Sequence, residues 1–251
     1  MPRAKPGPVR RVWDGTLKLA ELLFFPSKCR ICGAFLEKAG ERVVCRSCLN
    51  GLVPCRSPFC LCCGRFFDAA GDPHLCLECL KHRPPYTLHR SCAGYEGTLR
   101  EVILLMKYRG YAVLGSDLAR FALEATGSDD GLWSGIDALI PVPLHPRKRK
   151  ERGFNQAAVI ARELGRVKGV PVKTKALGRV KNIPAQTGLE AGARKRNVSG
   201  AFAVRRPAEV KGLTVLLVDD VYTTGSTVKE CCRMLRRAGA REVRVLTLAR
   251  T

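Results

Sequence analysis

Two adjacent carboxylates and a tract of small hydroxylated residues follow an apolar run in the segment VLLVDDVYTTGSTV, residues 215–228. Neighbouring acids such as Asp219 and Asp220 can accept hydrogen bonds from both hydroxyls of a vicinal diol. Thr223 to Thr227 lead into a predicted helix, whose first backbone amides favour an anion, and Gly225 permits close approach of the backbone. A lone pair of acids is also common as a solvated strand cap. The full order of residues instead predicts a site for a ribose 5-phosphate.

Eight of the thirteen cysteines form four C-x-x-C pairs. Each of the first four has a counterpart 31 positions later, which indicates an internal duplication. Each half has the spacing C-x2-C-x12-C-x2-C, which suits one tetrahedral zinc ion held by four thiolates. Crossed pairing between the repeats and buried or redox-active thiols are the alternatives. The sequence predicts two structural zinc ions, bound in sequential sets: Cys29, Cys32, Cys45 and Cys48, then Cys60, Cys63, Cys76 and Cys79.

Three other residues near this chemistry have simpler explanations. Cys231 and Cys232 fall in a predicted helix and are expected in the core. His74 precedes Cys76 by two residues and could compete as a ligand, but a solvated loop position is the expectation.

The elements that must position these residues follow from the hydrophobic pattern. Helices are predicted at 99–108, 113–125, 153–169 and 226–238, and strands at 137–144, 201–204, 213–220 and 242–249. Alternating strands and helices favour an α/β fold with a parallel sheet that binds ligands beyond the carboxyl ends of its strands. The expected divisions are a basic, amphipathic segment at 1–28, a double zinc ribbon at 29–80, a proline-containing linker at 81–94 and the α/β domain at 95–251.

The charge predicts an anionic partner. The formal net charge is +22, and residues 147–206 hold 17 Lys and Arg against 3 Asp and Glu. Such a balance favours nucleic acid, phosphorylated metabolites or an anionic surface. Phe154 and Phe202 are the only aromatics in that segment, so binding to phosphate backbones is favoured over stacking on bases.

The chain is expected to be cytoplasmic. It has no apolar stretch long enough for a transmembrane helix. The segment LKLAELLFF, residues 17–25, contains Lys18 and Glu21 and is followed by Pro26, which is not the pattern of a signal peptide.

The opening segment resembles the phosphoribosyl-pyrophosphate (PRPP) motif of type I phosphoribosyltransferases. The whole chain from about Cys29 resembles the ComF family, named for competence in DNA uptake. Besides the zinc ribbons, the resemblance depends on MKYRG (106–110), IPVPLHPRKRKERGFNQA (140–157) and AQTGLEAGARKRNVSGAF (185–202). It implies that the domain at 95–251 is a type I phosphoribosyltransferase-like domain.

The resemblance also implies a role for each site residue. Asp219 and Asp220 would hold the ribose hydroxyls, and Arg152 and Gly153 belong to a segment similar to the pyrophosphate loop of adenine-specific enzymes. Mg²⁺ would bridge pyrophosphate and ribose oxygens, and a mobile loop at about 179–197 would cover the site. The 5′-phosphate would lie on Thr223, Thr224, Gly225, Ser226 and Thr227, and the available cations are Arg152, Lys181, Arg194 and Arg196.

A catalytic base is missing from this set. The 6-oxopurine enzymes have an Asp at the position of Thr223, and a threonine there cannot accept a proton in the same way. Asp219, Asp220 and Arg152 are therefore the candidate catalytic residues, with no nucleophile identified.

Three functions fit these features. The leading hypothesis is a PRPP-binding protein that acts in the uptake or processing of single-stranded DNA, together with proteins of the DNA-uptake machinery. An active phosphoribosyltransferase of nucleotide metabolism and a PRPP-sensing regulatory or scaffold protein are the alternatives.

Overall fold

The structure, a computed structural model, describes residues 27–36, 43–56, 58–68, 70–180 and 200–251. The chain divides into two compact units, residues 1–51 and 52–251. The first unit contains the first cysteine repeat, and the second contains the other repeat with the whole α/β region. The two halves of the predicted double ribbon therefore belong to different units.

The helices and strands have the following bounds. The helices are α1 (Arg46–Asn50), α2 (Leu77–Lys81), α3 (Gly97–Arg109), α4 (Leu114–Thr126), α5 (Asp130–Trp133), α6 (Pro146–Arg152), α7 (Gln156–Lys168) and α8 (Ser226–Arg237). The strands are β1 (Leu88–Gly94), β2 (Ala138–Pro141), β3 (Leu177–Arg179), β4 (Phe202–Val204), β5 (Thr214–Tyr222) and β6 (Glu242–Arg250).

The two cysteine repeats have the same backbone. In the first unit, Cys29 donates its amide to Ala34 at 2.7 Å, and Lys28 bridges to Phe35. In the second unit, Cys60 donates to the carbonyl of Arg65 at 2.8 Å, and an equivalent bridge joins the residues 31 positions later. Each repeat ends in a five-residue helix, α1 or α2. The duplication predicted from the cysteine spacing is therefore also a structural one.

A four-stranded parallel sheet forms the centre of the second unit, with the order β1-β6-β5-β2. Val215 to Val218 in β5 are at most 1% exposed, as expected for a central strand covered on both faces. Val215 and Leu217 belong to the core that contains α8. Because side chains alternate along a strand, the intervening residues face the other way, where α7 contacts β5.

The predicted parallel α/β fold is confirmed, with differences from the predicted elements at two places and one helix for which no element was predicted. Of the expected linker at 81–94, only residues 82–87 are connecting chain, because Lys81 ends α2 and Leu88–Gly94 forms β1, which pairs with β6. The AFAV segment forms β4, but β4 pairs antiparallel with β3 in a separate two-stranded sheet. The basic sequence PRKRKER forms helix α6, which begins with Pro146 after the capping side chain of His145.

No helix in the described part of the chain is long and apolar enough to cross a membrane.

Candidate functional site

Two groups of four thiols have the geometry of tetrahedral metal sites. Within each group the sulfur atoms lie within 4.8 Å of one another, and the pairs Cys29–Cys48, Cys32–Cys45 and Cys63–Cys76 are 3.7 to 3.9 Å apart. Four sulfurs at about 2.3 Å from a zinc ion would be about 3.8 Å apart. The donor sets therefore fit zinc. The grouping is sequential rather than crossed: Cys29, Cys32, Cys45 and Cys48 form one set, and Cys60, Cys63, Cys76 and Cys79 the other.

Backbone amides stabilise one thiolate in each set in the same way. The Cys29 sulfur accepts from the amides of Ile31 and Cys45 at 3.4 and 3.3 Å. The Cys60 sulfur accepts from the amides of Cys63 and Cys76 at the same two distances. Burial alone raises the pKa of each thiol, but these donors lower the pKa of Cys29 and of Cys60 to about 6. Both repeats thus favour the charged form that binds metal.

His74 is not a member of the second thiol group. Its exposed ring stacks on Phe67 with the centroids 4.2 Å apart, and its Nδ1 lies 3.0 Å from the carbonyl oxygen of Asp72. Cys231 and Cys232 are fully buried in α8, as predicted.

The second thiol group is attached to the sheet through the carbonyl oxygen of Cys63. This oxygen accepts hydrogen bonds from Nδ1 of His89 in β1, at 3.0 Å, and from Nη1 of Arg250 in β6, at 2.8 Å. The next residue, Gly64, approaches the β1 backbone so closely that an added Cβ would overlap the carbonyl oxygen of His89. We call residues 58–81 the second ribbon. The second ribbon therefore contacts the edge strand β1 and its neighbour β6.

The His89 ring is neutral, and one of its nitrogens donates a hydrogen bond while the other accepts one. Burial, followed by the positive charge of Arg250, lowers the pKa of His89 to about 3. Since a carbonyl oxygen only accepts, Nδ1 carries the proton and donates to Cys63. Nε2 then accepts from Oγ1 of Thr247 at 2.9 Å, and Ser91 lies 3.2 Å from the same nitrogen. The ring also contacts that of Tyr222, with centroids 4.5 Å apart.

Asp219 and Asp220 lie within β5, which continues to Tyr222, and not beyond the end of the strand. Alternation along the strand directs their side chains to opposite faces. Asp220 is 5% exposed and lies on the α7 face, whereas Asp219 is half-buried on the α8 face. The two acids, equivalent in the sequence, therefore have different surroundings.

Both oxygens of Asp220 have partners. Its Oδ1 lies 3.0 Å from Nζ of Lys107 in α3, and its Oδ2 accepts from Nε2 of Gln156 in α7 at 2.7 Å. Gln156 in turn accepts from Nη1 of Arg152, which also lies over the ring of Tyr108. A continuous polar chain thus connects the acid to the last residue of the basic helix α6. Sequence reasoning missed Lys107 and Gln156, although both lie in segments that carry the family resemblance.

The charges in this polar network shift the pKa values of Asp219 and Lys107. Burial, followed by the neighbouring charge of Asp220, raises the pKa of Asp219. Burial alone would lower the pKa of Lys107, but the charge and hydrogen bond of Asp220 raise it. Lys107 is therefore a permanent cation beside Asp220. Within the described residues, the Asp219 carboxylate accepts one hydrogen bond, from the Asp220 amide at 2.9 Å, so it retains acceptor capacity.

The loop after β5 has the form expected of an anion site. Gly225 has φ +72°, a left-handed conformation, and directly precedes the first residue of α8. An added Cβ there would overlap the hydroxyl of Tyr222, so glycine is required for two reasons. Thr224 and Ser226 bond to each other through their hydroxyls at 3.0 Å. The first amides of α8 have no helical acceptor and carry the positive end of the helix dipole.

Tyr222 connects this loop to the second ribbon. Its hydroxyl lies 3.2 Å from the hydroxyl of Tyr86 and packs against Gly225. Its ring contacts His89, and the Arg250 guanidinium lies over it at 5.4 Å. Both His89 and Arg250 are bonded to the Cys63 carbonyl. Tyr222 therefore connects the anion loop, through His89 and Arg250, to the segment that contains the metal-ligating Cys63.

Arg152 and Gly153 lie at the end of α6, beside a basic cavity of about 600 Å³. Gly153 and Phe154 line this cavity between the α6–α7 turn and the β3–β4 sheet. The remaining predicted elements, Lys181, Arg194, Arg196 and most of the loop at 179–197, lie outside the described residues. The cationic side chains that line the basic cavity are Arg149, Arg162, Lys175, Arg179, Arg205 and Arg206.

Comparison with known proteins gives two domain matches. Residues 20–92 match the double zinc ribbon domain, and residues 150–251 match the phosphoribosyl transferase domain. The order of the two agrees with the thiol clusters and the parallel sheet described above.

Curated relatives that match about half to two thirds of this chain carry names from DNA use and competence. The chain is 33% identical over 171 residues to the DNA utilization protein YhgH of Salmonella typhimurium, covering 67% of this chain and 74% of that protein. It is 37% identical over 115 residues to competence protein F of Haemophilus influenzae, covering 45% and 50%. It is 28% identical over 165 residues to competence protein ComFC of Bacillus subtilis, covering 65% and 64%. This chain therefore belongs to the ComF/YhgH family, which joins a double zinc ribbon to a phosphoribosyltransferase domain.

Proposed function

We propose that this protein binds PRPP at the end of β5 and uses that site while handling single-stranded DNA in the cytoplasm, with proteins of the DNA-uptake machinery as partners. The observation that carries the proposal is the pairing of a partly open carboxylate, Asp219, with the amide loop at Thr223–Thr227. One group suits ribose hydroxyls, and the other suits a 5′-phosphate.

Asp219 and Asp220 contribute differently in this proposal. Asp219 accepts from the ribose diol, because its oxygens retain acceptor capacity. Asp220 positions the strand and connects the ribose to Arg152 through Gln156. Arg152 then lies where a pyrophosphate group would be neutralised. Mg²⁺ would supply charge neutralisation between pyrophosphate and ribose oxygens, and carboxylate oxygens such as those of Asp219 are the ligands it prefers.

The DNA part of the proposal depends on the basic cavity. Six cations and no acid line this space of about 600 Å³, beside the proposed pyrophosphate segment. Arg149, Arg162 and Lys175 are exposed and have no ion pair within the described structure. Cations that lack counter-charges in one concave surface favour a phosphate backbone. The names of the relatives support a role in DNA use.

The PRPP site is tested by calorimetry with Mg²⁺ on the wild type and Asp219→Asn. The substitution should weaken binding by about 2–3 kcal/mol, because a carboxylate bonds a hydroxyl more strongly than an amide does. It should also raise the melting temperature of the ligand-free protein at pH 8, since burial opposes the Asp219 charge. Unchanged PRPP affinity would remove Asp219 from the ribose site.

Asp220→Asn serves as the contrast. It leaves Lys107 largely buried without its counter-charge, which should cost roughly 3–5 kcal/mol of stability. If Asp220→Asn lost PRPP binding, the loss could result from its lower stability. Asp219→Asn is therefore the better test of the ribose site.

The DNA site is tested with two charge-matched triple variants. The first replaces Arg149, Arg162 and Lys175 with Gln. The control replaces Arg100, Arg120 and Arg166 on α3, α4 and α7, which are also exposed, the last two being ion-paired within their own helices. The first should reduce the magnitude of the log–log salt slope for single-stranded DNA by about 2, at about 0.7 per phosphate contact. The control should leave the slope nearly unchanged. Equal effects of the two triples, or no binding at about 0.1 M salt, would refute the DNA assignment.

A further inference from the structure

A second large cavity lies between the second ribbon and the loop after β5. Its volume is about 800 Å³, and we call it the ribbon cavity. Pockets of this size accommodate ligands larger than one phosphate group. Its walls come from the thiol group, from the 82–86 segment and from the first turns of α8. The charged side chains that line it are Arg65, Glu78, Arg83, Lys229, Arg233 and Arg250.

The ribbon cavity adjoins the proposed 5′-phosphate loop but not the ribose acids. Thr223 and Thr224 line it, whereas Asp219 and Asp220 do not. A ligand with its ribose on the acids and its 5′-phosphate on the loop would therefore meet this space beyond the phosphate. PRPP carries nothing on that side of its 5′-phosphate, so PRPP alone leaves the cavity without a ligand.

Three of the five cations that line the ribbon cavity have no protein partner among the described residues. Arg233 is paired with Glu230 at 2.6 Å, and Arg250 donates to the Cys63 carbonyl. In contrast, Arg65, Arg83 and Lys229 have no ion pair or side-chain hydrogen bond in the described structure. Glu78 is the only acidic side chain in this lining, and a zinc ion held by the four adjacent thiolates would add a net two negative charges. The five cations outnumber these three negative charges, so the lining retains positive charge for an anionic group.

The other walls suit a flat, partly apolar group. Pro84 and Pro85 lie side by side in the lining, together with the rings of Phe66, Tyr86 and Tyr222. Ligand pockets are generally lined by apolar and aromatic side chains with a few polar or charged groups, and this lining has that composition.

We propose that the ribbon cavity binds a second phosphate attached to the 5′-phosphate of a ribosyl ligand, together with part of the group it carries. The attachment is either a diphosphate or the phosphodiester of a strand. The inference rests on the proposed ribose 5-phosphate site and adds that this site accepts 5′-extended ligands. The second ribbon supplies Arg65 and thus forms part of the binding site.

The test compares each extended ligand with a counterpart that lacks only the group beyond the 5′-phosphate. Ribose 5-phosphate is the counterpart of ADP-ribose, the diphosphate probe. AMP, which has the same adenine at C1′, is the counterpart of the trinucleotide ApApA, the phosphodiester probe with a free 3′-terminal diol. Each is measured by competition with PRPP at constant ionic strength, because screening changes every charged contact. At least one extended probe should compete tenfold or more better than its own counterpart, and which one does so identifies the attachment.

The matched variants locate the effect. Replacing Arg65, Arg83 and Lys229 with Gln should remove the tenfold preference and change ribose 5-phosphate affinity by less than about twofold. The control triple at Arg100, Arg120 and Arg166 should keep the preference. Three results would overturn the inference: wild-type competition by each extended probe equal to that of its counterpart, equal loss in both triples, or extended probes that bind without displacing PRPP. If neither PRPP nor ribose 5-phosphate binds, the proposed function fails first, and the inference fails with it.

Discussion

The two thiol groups have the same metal-binding geometry but different structural surroundings. Sulfur spacing, amide donors and the short terminal helix repeat between them. The second group is also bonded to strands β1 and β6 through the carbonyl of Cys63, whose partners lie 26 and 187 residues away in the sequence. The spacing of the cysteines is therefore enough to specify each metal site. The position of the second metal site relative to the candidate ribose phosphate site depends on residues far away in the sequence.

The largest expected effect comes from removing each metal site in turn. Cys60→Ser with Cys63→Ser should lose one zinc equivalent, destabilise the second unit by about 5 kcal/mol or more, and weaken PRPP binding at least tenfold. Cys29→Ser with Cys32→Ser should also lose one zinc equivalent but leave PRPP affinity within about twofold. Zinc analysis, thermal unfolding and calorimetry with PRPP provide the three readouts.

Wild-type protein purified without added zinc should contain two equivalents. One equivalent or none would contradict the pair of sites. Equal loss of PRPP binding from both cysteine pairs would contradict the proposed difference between the ribbons.

A matched pair of glycines tests the attachment without touching the metal. Gly33 and Gly64 occupy equivalent positions with φ +76° and +63°. Alanine at either position should cost about 1–2 kcal/mol for the left-handed conformation. An added Cβ at Gly33 has no atom within 4 Å, but at Gly64 it would overlap the backbone of β1. Gly64→Ala should therefore cost about 2 kcal/mol more than Gly33→Ala, as measured by denaturant unfolding of each unit.

Equal costs for the two glycine variants would show that the close approach of Gly64 to β1 does not stabilise the second unit. Zinc content serves as the control, because neither substitution should change it.

Much of the fold could be predicted from sequence, since its signals are local. The apolar run of β5 and the helical periodicity of α7 each reflect burial of their own residues. β1 was missed because LHRSCAG carries the polar residues His89, Arg90 and Ser91, whose buried positions are explained only by partners elsewhere. The prolines before this strand then favoured a linker.

The candidate site also has features that could be predicted from the sequence and features that could not. The acids, the hydroxylated loop and the thiols are recognisable from type and spacing. The ion pair of Asp220 with Lys107 joins residues 113 positions apart. The different roles of the two acids depend on strand alternation and on which helix covers each face. No local pattern contains that information.

The next largest expected difference between the two units is the pH dependence of their stability. Burial lowers the pKa of His89 to about 3 in the folded protein, against about 6.5 unfolded. Between those values the unfolded chain binds one more proton, so the stability of the second unit should fall as the pH falls. The expected loss from His89 is about 1.3 kcal/mol between pH 7.0 and 5.5. Unfolding of zinc-saturated protein at the two pH values measures it.

The variant His89→Asn should lack this part of the pH dependence, whereas His82→Asn, at an exposed histidine, should keep it. Residues 1–51 contain no histidine, so the first unit has no corresponding contribution. A pH dependence that is identical in wild type and His89→Asn would show that protonation of this ring does not limit the stability of the second unit.

The smallest expected effect concerns the Tyr222 hydroxyl, which connects the loop to Tyr86 in the segment that follows the second ribbon. Tyr222→Phe removes the group that bonds Tyr86 and packs against Gly225 but keeps the ring and its contacts with His89 and Arg250. The cost in stability should be about 1 kcal/mol, the value of one buried hydrogen bond. Tyr86→Phe removes the same bond from the other side, away from the loop, and should cost a similar amount. If the Tyr222 hydroxyl also shapes the anion loop, Tyr222→Phe alone should weaken PRPP binding, by about threefold to tenfold in calorimetry. Equal PRPP affinity in both variants would mean that the ring of Tyr222, and not its hydroxyl, supports the loop from the side of the second ribbon.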